Sequence, residues 1–282
     1  MNYRHAYHAG NHADVLKHAV LALVISYLGT KDKPFAALDA HAGIGAYDLL
    51  GLEALKTDEW RGGVGLLGEA FSPDIEVLLE PYRRCIAALN PQGGLRYYPG
   101  SPEIILQLMR GQDRLIANEL HPQDADILED NYRADRRLIV TRLDALTATK
   151  AQLPFAERRG LVLIDPPYEA IDETERVVKQ LHEGLKRFQS GCFMVWYPVT
   201  TNEFADRFVS AIAAVSAPEM LHVELRIKTT QPKTGLVGSG LIVINPPWVL
   251  ENQLQVLVPA LAARLGLEGR GQGQVSWLTP PK

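Results

Sequence analysis

An acidic residue, two prolines and an aromatic residue form the part of this chain best suited to chemistry. Asp165-Pro166-Pro167-Tyr168 directly follows Leu161-Val162-Leu163-Ile164, an apolar run typical of a buried parallel strand. Because proline cannot continue a strand ladder, the chain should leave the sheet there in a stiff, extended turn. We expect Asp165 and the Pro166 carbonyl to accept the two hydrogens of an amino group on a flat ring. Tyr168 would then stack on that ring.

This tetrapeptide resembles a motif of methyltransferases that modify exocyclic amines, above all N6 of adenine. Asp-Pro-Pro sequences also end strands for steric reasons alone, so the rest of the chain has to support the functional interpretation. A similar tetrapeptide, Asn245-Pro246-Pro247-Trp248, follows a strand that we predict to be antiparallel. Its end should therefore point away from the other strand ends. We interpret this second tetrapeptide as a strand stop and assign catalysis to Asp165, Pro166, Pro167 and Tyr168.

The composition of the 282-residue chain is that of an ordinary globular protein, with 46% hydrophobic and 22% charged residues. The longest nearly apolar stretch, 19–28, is about half of what a membrane span needs, and the first residues do not resemble a signal peptide. Cys85 and Cys192 are too few for a disulfide framework or a cysteine zinc site. A net charge of −4 does not decide on nucleic-acid binding, because a local basic patch is enough. We expect a cytoplasmic protein with no membrane and no metal partner.

Apolar runs that alternate with helical stretches predict a doubly wound, mostly parallel sheet. Residues 12–28 should form a helix with a wide buried face. Strands are predicted at 35–38, 114–118, 138–141, 161–164 and 192–197. Helices are predicted at 125–132, 147–152 and 174–188. Near the end of the chain, residues 221–228 and 241–244 should form a long-looped hairpin that places one antiparallel strand in the sheet.

The carboxyl ends of parallel strands meet in one crevice, which is the usual ligand site of such a sheet. Acidic residues fall at these ends: Asp39, Glu119, Asp144 and Asp165. The glycines of Asp39-Ala40-His41-Ala42-Gly43-Ile44-Gly45 would let the backbone approach a ligand closely. We expect Glu119 to hold two ribose hydroxyls and Asp144 to accept from an adenine amino group, whereas Ser101 should only be a helix N-cap. The missing run of phosphate-cradling glycines favours S-adenosylmethionine over a dinucleotide.

The predicted sheet resembles the Rossmann-like fold of the class I S-adenosylmethionine-dependent methyltransferases, although a fold alone does not fix function. One spacing departs from that fold. Glu119 follows Gly45 much later than the roughly 20 residues expected between a glycine loop and the next strand-end acid. We therefore predict a small inserted subdomain at 47–97, within a methyltransferase domain formed by 1–46 and 98–282.

The N-terminal run from Tyr3 to His18 is more specific than these patterns. Four other motifs occur together with this run: Asp39-Ala40-His41-Ala42-Gly43, Pro99-Gly100-Ser101-Pro102, Asp165-Pro166-Pro167-Tyr168, and Gly238-Ser239-Gly240 with Asn245-Pro246-Pro247-Trp248. Over essentially its whole length the chain resembles the RlmJ family, bacterial enzymes that methylate N6 of adenine 2030 in 23S ribosomal RNA. Ala40 stands where the family pattern suggests threonine, and it should face the buried side of its loop.

The resemblance implies which residues form the site, with S-adenosylmethionine as cofactor and no metal. Residues that contact the cofactor or line its pocket would be His18, His41, Gly43, Gly45, Ser101, Glu119, Asp144, Ala145 and Asp165. Residues near the target adenine would be Tyr3, Arg4, His5 and Lys17. We expect residues 1–11 to be an arm that is mobile without substrate and closes over the flipped adenine, with Lys17 near the RNA backbone. The RNA partner would be free or partly assembled 23S ribosomal RNA.

Other functions remain open at this point. The protein could methylate adenine in DNA or a protein glutamine, since both present a planar amine, although the predicted insertion is small for the target-recognition domain of a DNA enzyme. It could also be a catalytically idle RNA-binding protein, but the intact Asp165 motif and the row of strand-end acids count against this. A zinc site at His8 and His12 is disfavoured, because Gly10 and Asn11 between them indicate that the helix begins later.

Overall fold

The apolar runs of the sequence form a central sheet that is covered by helices on both faces. The computed structural model describes residues 4–228 and 235–281, which contain a sheet of eight strands and a separate two-stranded pair. The strands are β1 (Ala36–Asp39), β2 (Ala46–Asp48), β3 (Tyr97–Pro99), β4 (Arg114–Asn118), β5 (Leu138–Thr141), β6 (Gly160–Ile164), β7 (Cys192–Val199), β8 (Met220–Arg226), β9 (Gly238–Ile244) and β10 (Gln272–Thr279). The α-helices are α1 (His12–Gly29), α2 (Leu52–Thr57), α3 (Pro73–Leu89), α4 (Ser101–Leu108), α5 (Pro122–Asn131), α6 (Ala145–Gln152), α7 (Glu173–Arg187), α8 (Asn202–Ala213) and α9 (Leu250–Leu265).

The strand order of the large sheet is β10-β8-β9-β7-β6-β1-β4-β5. Neighbours from β5 to β7 pair in parallel, whereas β9 is antiparallel to both β7 and β8. The predicted mostly parallel sheet is confirmed, and β8 and β9 are the predicted hairpin. Edge strand β10, which pairs antiparallel with β8, is absent from the sequence-based prediction. Its residues are mostly half-exposed and mix polar with apolar side chains, which leaves a weak periodic signal.

The sheet is buried on both faces, as its continuous apolar strands require. Successive residues of a strand point to opposite faces. Leu163 and Met194 thus belong to the hydrophobic cluster under α1, α3, α4 and α9, whereas Val162 and Phe193 belong to the cluster under α7 and α8. None of the helices in the described part of the chain combines the length and the apolar character that a membrane span needs.

Helix α1 is buried on nearly all sides. Asn11 begins it, because its Oδ1 accepts from Ala13 N and Asp14 N at 2.9 and 3.0 Å and so satisfies two amides of the first turn. Farther along, the helix packs against α3, α4 and α9. Asp14, Lys17 and His18 consequently lie inside the protein, with relative exposures of 1%, 4% and 1%. Polar groups buried in this way need partners, which come from the segment before α1, from α1 itself, from β3 and from the loop after β6.

The segment 47–97 leaves the sheet after β1 and returns before α4. It contains α2, α3 and two short 3₁₀ segments, and its ends meet in the β2–β3 pair. Helix α3, with 17 residues, is the longest element of the segment. Its buried Leu79 and Tyr82 belong to the same hydrophobic cluster as α1, and Tyr82 Oη lies 2.9 Å from Tyr98 Oη. The segment therefore shares its core with one helical layer of the sheet, and its designation as a subdomain stays a proposal.

Asn118, the last residue of β4, connects the carboxyl ends of three strands. Its Nδ2 donates to the carbonyls of Ala40, after β1, and Leu143, after β5, at 3.1 and 2.9 Å. Its Oδ1 accepts from Thr141 Oγ1 at 2.9 Å and from Leu143 N at 3.0 Å. Because Asn118 is only 1% exposed, water cannot easily replace these bonds.

We expect Asn118→Ala to lower the free energy of unfolding by about 2–3 kcal/mol, because it leaves buried carbonyl and amide groups without partners. Urea denaturation measures this change. Asn252→Ala, at an exposed position of α9, is the control and should change stability by no more than about 0.5 kcal/mol. Equal stability of the two variants would show that the backbone alone holds the strand-end loops together.

Candidate active site

A cavity of about 690 Å³ lies at the carboxyl ends of β1, β4, β5, β6 and β7. The first turns of α1 and the start of α7 complete its wall. Its volume falls within the range of about 300–1,000 Å³ that is typical of small-molecule sites. Its position is the expected ligand crevice of a doubly wound sheet.

The loop after β1 brings backbone to the cavity at Gly43. This residue has a φ of +64°, and a Cβ there would collide with the Tyr47 hydroxyl, so glycine is required. Ala40 of the same loop is 1% exposed and faces the interior, as predicted. Gly45 also has a positive φ, +85°, but it lies beside the cavity and not in its lining within the described chain. The Gly45 carbonyl accepts from Gly100 N at 2.7 Å, so Gly45 shapes the turn beside the cavity.

Glu119 lines the cavity directly after β4, as predicted. Its Oε2 accepts from Gly43 N and its Oε1 from His121 N, both at 2.8 Å. Each carboxylate oxygen has two lone pairs, so both can accept a further hydrogen bond from a ligand. Burial raises the pKa of Glu119. The carboxylate is thus held in a fixed orientation with acceptor capacity left over.

Asp144 caps α6 at the cavity wall. Its Oδ1 accepts from Leu146 N and Thr147 N at 3.1 and 3.3 Å, which leaves Oδ2 for another donor. Ala145 and Ser101 line the same cavity, as predicted. The interpretation of Ser101 as an N-cap is wrong, because Gly100 occupies that position and Ser101 is the first residue of α4.

Two histidines in the cavity wall, the buried His18 and the half-buried His41, are neutral at physiological pH. Burial lowers the pKa of His18 to about 3 and that of His41 to about 4. His18 Nδ1 lies 2.7 Å from Tyr98 Oη, and His41 Nδ1 accepts from Asp165 N at 3.2 Å. A neutral imidazole that accepts at Nδ1 carries its proton on Nε2. His41 therefore fixes the backbone of Asp165 and keeps one donor for a ligand.

Asp165-Pro166-Pro167-Tyr168 follows β6 and lines the cavity, as predicted. Tyr168 has a φ of +52°, which is uncommon for a residue other than glycine. Its hydroxyl donates to the Trp196 carbonyl at 2.6 Å. Its ring packs edge-on against Trp196 and Phe208, with ring centres 5.8 Å apart in both pairs. The aromatic ring of the motif is thus held in place at several points.

Lys17 forms an ion pair with Asp165. Its ammonium contacts Asp165 Oδ2 and lies 2.9 Å from Asp14 Oδ1. Burial alone would lower the pKa of Lys17, but the carboxylates of Asp14 and Asp165 raise it above its ordinary value. The prediction that Lys17 lies near the RNA backbone is wrong, because its side chain is 5% exposed and is directed from α1 towards Asp165.

Asp14 was not singled out in the sequence, yet it has the most partners in this part of the site. Its Oδ2 accepts from Gly10 N and lies next to His5 Nε2, both at 2.9 Å. Burial alone would raise the pKa of Asp14, but His5 and Lys17 hold it well below its usual value. The sequence contains one signal that Asp14 is paired, namely an acid and a lysine three residues apart in a largely apolar helix.

Residues 4–11 of the predicted arm pack against the rest of the protein. Arg4 Nη2 donates to Asp124 Oδ1 at 3.2 Å, and His8 Nδ1 and Asn11 Nδ2 each lie 3.0 Å from a carboxylate oxygen of Glu59. His5 lines the cavity. Arg4 does not line it, but its partner Asp124 does. Tyr3 lies outside the described residues. Closure of the arm over a substrate stays a prediction.

The second proline tetrapeptide lies away from the cavity. Strand β9 is antiparallel to β7, so its end falls at the opposite edge of the sheet. Asn245 Nδ2 donates to the carbonyls of Gln189 and Gly191, both at 2.8 Å, and Trp248 is 78% exposed. The prediction that this tetrapeptide is a strand stop is confirmed.

Several lining residues carried no distinctive sequence signal. Trp196 lies in the apolar strand β7, and Arg176 and Lys179 lie on the charged helix α7. Within 4–228 and 235–281, no three His, Cys, Asp or Glu side chains come together as a metal-binding group. His12 is the first residue of α1 and His8 precedes it, so the two do not share a helical face.

We expect the stability of the protein to depend on pH through His18. Its pKa is about 3 in the folded protein against 6.5 ordinarily, so between these values the unfolded chain binds a proton that the folded chain does not. The free energy of unfolding then falls as the pH is lowered, by up to about 1.4 kcal/mol per pH unit for this one group. His18→Gln should reduce that slope in urea denaturation between about pH 7 and pH 4.5. His182→Gln, at an exposed position of α7, is the control, and an equal slope in both variants would contradict the burial of a neutral His18.

Comparisons with known proteins point to one family. The profile of the family described as "Ribosomal RNA large subunit methyltransferase D, RlmJ" matches residues 32–279. The chain is 43% identical to ribosomal RNA large subunit methyltransferase J of Haemophilus influenzae over 281 residues, which is 99% of both chains. It is 42% identical to the protein of the same name from Escherichia coli K12 over 280 residues, again 99% of both.

A solved structure extends the similarity to three dimensions. The crystal structure of a protein from Legionella pneumophila matches with a TM-score of 0.86 and 31% identity, covering 95% of this chain and 98% of that one. Sequence and fold therefore agree over nearly the entire length. The chain belongs to the RlmJ family.

Proposed function

We propose that this protein uses S-adenosylmethionine to methylate N6 of adenine 2030 in 23S ribosomal RNA. Membership of the RlmJ family supports this reaction. The observation that carries the proposal is the position of Asp165, Pro166 and Tyr168 in the same cavity as Gly43 and Glu119. The residues that we propose for the amine and those that we propose for the cofactor therefore line one space. This space is large enough for a cofactor and a flipped base together.

The residues of the cavity fit S-adenosylmethionine. The fixed carboxylate of Glu119 has acceptor capacity for two ribose hydroxyls, and Asp144 Oδ2 can accept from the adenine amino group. Gly43 leaves space at the turn where a side chain would collide with Tyr47. The other residues that would hold the cofactor are His18, His41, Ser101, Ala145 and Asp165.

The target adenine has to leave its stack to reach the cavity, as base-modifying enzymes require. Its N6 lone pair is delocalised into the ring and is a poor nucleophile. Hydrogen bonds from N6 to Asp165 and to the Pro166 carbonyl would favour a pyramidal nitrogen, with Tyr168 stacked on the base. Bound S-adenosylmethionine supplies an electrophilic methyl group on a sulfonium. Orientation and fixed charges in the site then provide most of the acceleration.

The substrate side of the cavity combines aromatic and basic residues. Trp196 and Tyr168 offer ring faces and edges to a base, and Arg176 and Lys179 place cations on the wall formed by α7. Tyr3, Arg4, His5 and Lys17 are the residues that we propose near the adenine. A substrate of free or partly assembled ribosomal RNA would place the protein in the cytoplasm.

We expect Asp165→Ala to fold but to lose about 10²–10³-fold in methylation rate, because it removes a contact to the reacting amine. Methyl transfer to 23S ribosomal RNA, with the product position located by mass spectrometry, measures this. Asn245→Ala removes the corresponding residue of the second tetrapeptide and should retain the wild-type rate. Full activity of Asp165→Ala would refute the assignment.

The same assay separates the alternatives. Methylation of a DNA of the same sequence at a higher rate than RNA would indicate a DNA enzyme. Binding of RNA by the wild-type protein without any methyl transfer would indicate an idle binding protein.

Glu119→Ala should weaken cofactor binding by about 1.5–3 kcal/mol, the range for hydrogen bonds to a charged group. Isothermal titration with S-adenosylmethionine measures the dissociation constant. Glu157→Ala is a matched control, because Glu157 is an ion-paired acid that bonds to Arg114 at the other end of β4. Equal affinities in both variants would mean that Glu119 does not hold the ribose.

A further inference from the structure

Asp14 has partners on two sides of the site. The N-terminal arm contributes Gly10 N and His5 Nε2 to its Oδ2, and α1 contributes the Lys17 ammonium to its Oδ1 at 2.9 Å. Lys17 in turn contacts Asp165. A continuous row of charged and polar groups therefore runs from the arm to the carboxylate that we place beside the target amine.

The number of charges in this row exceeds what a stabilising ion pair needs. Asp165 alone would neutralise Lys17, yet a second carboxylate, that of Asp14, is buried against the same ammonium. Removing a charged group from water is costly, and buried ion pairs add little net stability. The second carboxylate therefore calls for an explanation other than stability, and its contact with the ammonium points to the placement of Lys17.

Methyl transfer to an amine creates a positive charge that a well-placed Asp165 carboxylate can stabilise. As the bond between N6 and the methyl carbon forms, the bond between that carbon and sulfur breaks and its electron pair stays on sulfur. Positive charge moves from the sulfonium to N6 and remains there until a proton leaves to water or to a base. Fixed negative charge close to that nitrogen lowers the energy of the transition state more than that of the bound substrate.

The contacts also determine which oxygen of Asp165 is available. Lys17 occupies Oδ2, so Oδ1 is the oxygen that can accept from N6. Asp14 holds the ammonium from its other side. We propose that Asp14 is a positioning residue for methyl transfer, which acts through Lys17 to orient Asp165. The inference rests on the proposed function, because it takes Asp165 as the residue at the amine.

The test compares Asp14→Asn with wild type in kcat for methylation of 23S ribosomal RNA and in the dissociation constant for S-adenosylmethionine. Asparagine keeps the size of the side chain and can still accept from Gly10 N. We expect kcat to fall about 10- to 100-fold, with cofactor affinity within about twofold. Asp113→Asn is the matched control: this acid is 2% exposed, accepts from Phe35 N at 3.0 Å and pairs with Arg110, but it precedes β4 at the far edge of the sheet. It should leave kcat per folded molecule unchanged, and an unchanged kcat in Asp14→Asn would overturn the proposal.

A double variant tests whether Asp14 acts through Lys17, and it remains usable if Asp14→Asn alone does not fold. In Asp14→Asn with Lys17→Met, no unpaired lysine is left buried. We expect its kcat to equal that of Lys17→Met alone within about threefold, because the link is already broken. If the kcat losses of the two single variants multiply in the double variant, the two residues act independently and the proposal is overturned. Failure of the proposed function has a different signature, namely wild-type methylation by Asp165→Ala.

Discussion

The parallel pairing of β1 with both β4 and β6 is the constraint on which the site depends. The register aligns Asp39 with Ala117 on one side and with Leu163 on the other, so the residues that follow all emerge at one edge. Gly43, Glu119 and Asp165 are far apart in sequence and meet only because of this alignment. The bond between Gly45 and Gly100 closes the base of the 47–97 segment, so this long excursion leaves the register of the sheet undisturbed.

Burial sorts the ionisable groups of the site into two kinds. His18 and His41 lose their charge, and each then contributes an oriented donor and acceptor without adding to the local field. Asp14 and Lys17 keep their charges because each has the other as partner. Next to Asp165, the cavity wall thus combines neutral imidazoles with an ion pair that is buried away from bulk water. The burial matters because charges interact more strongly away from bulk water.

The sequence predicted the parallel strands and the acids that follow them, because apolar runs ending in Asp or Glu are local patterns. It also predicted that Asp165 and Asn245 lie at opposite ends of the strands, since strand direction follows from the hairpin. It did not predict β10, α8 or α9, whose patterns are weak and whose positions depend on neighbouring elements. Asp14 was missed for a related reason: its significance arises from His5, Lys17 and Asp165 meeting in space. Lys17, expected near the RNA backbone, is buried instead, and only its two carboxylate partners make the burial of a lysine tolerable.

The backbone of Tyr168 has a consequence for how a base is recognised. Its left-handed conformation is held by a hydroxyl bonded to the Trp196 carbonyl and by a ring packed between Trp196 and Phe208. An aromatic ring held by its hydroxyl and by its packing contacts cannot rotate outwards to contact a nucleotide. The entropy of ordering this side chain is therefore lost when the chain folds, before any ligand arrives. In the proposed reaction, discrimination would then fall to the shape of a rigid slot, into which a planar amine has to fit without help from an adapting wall.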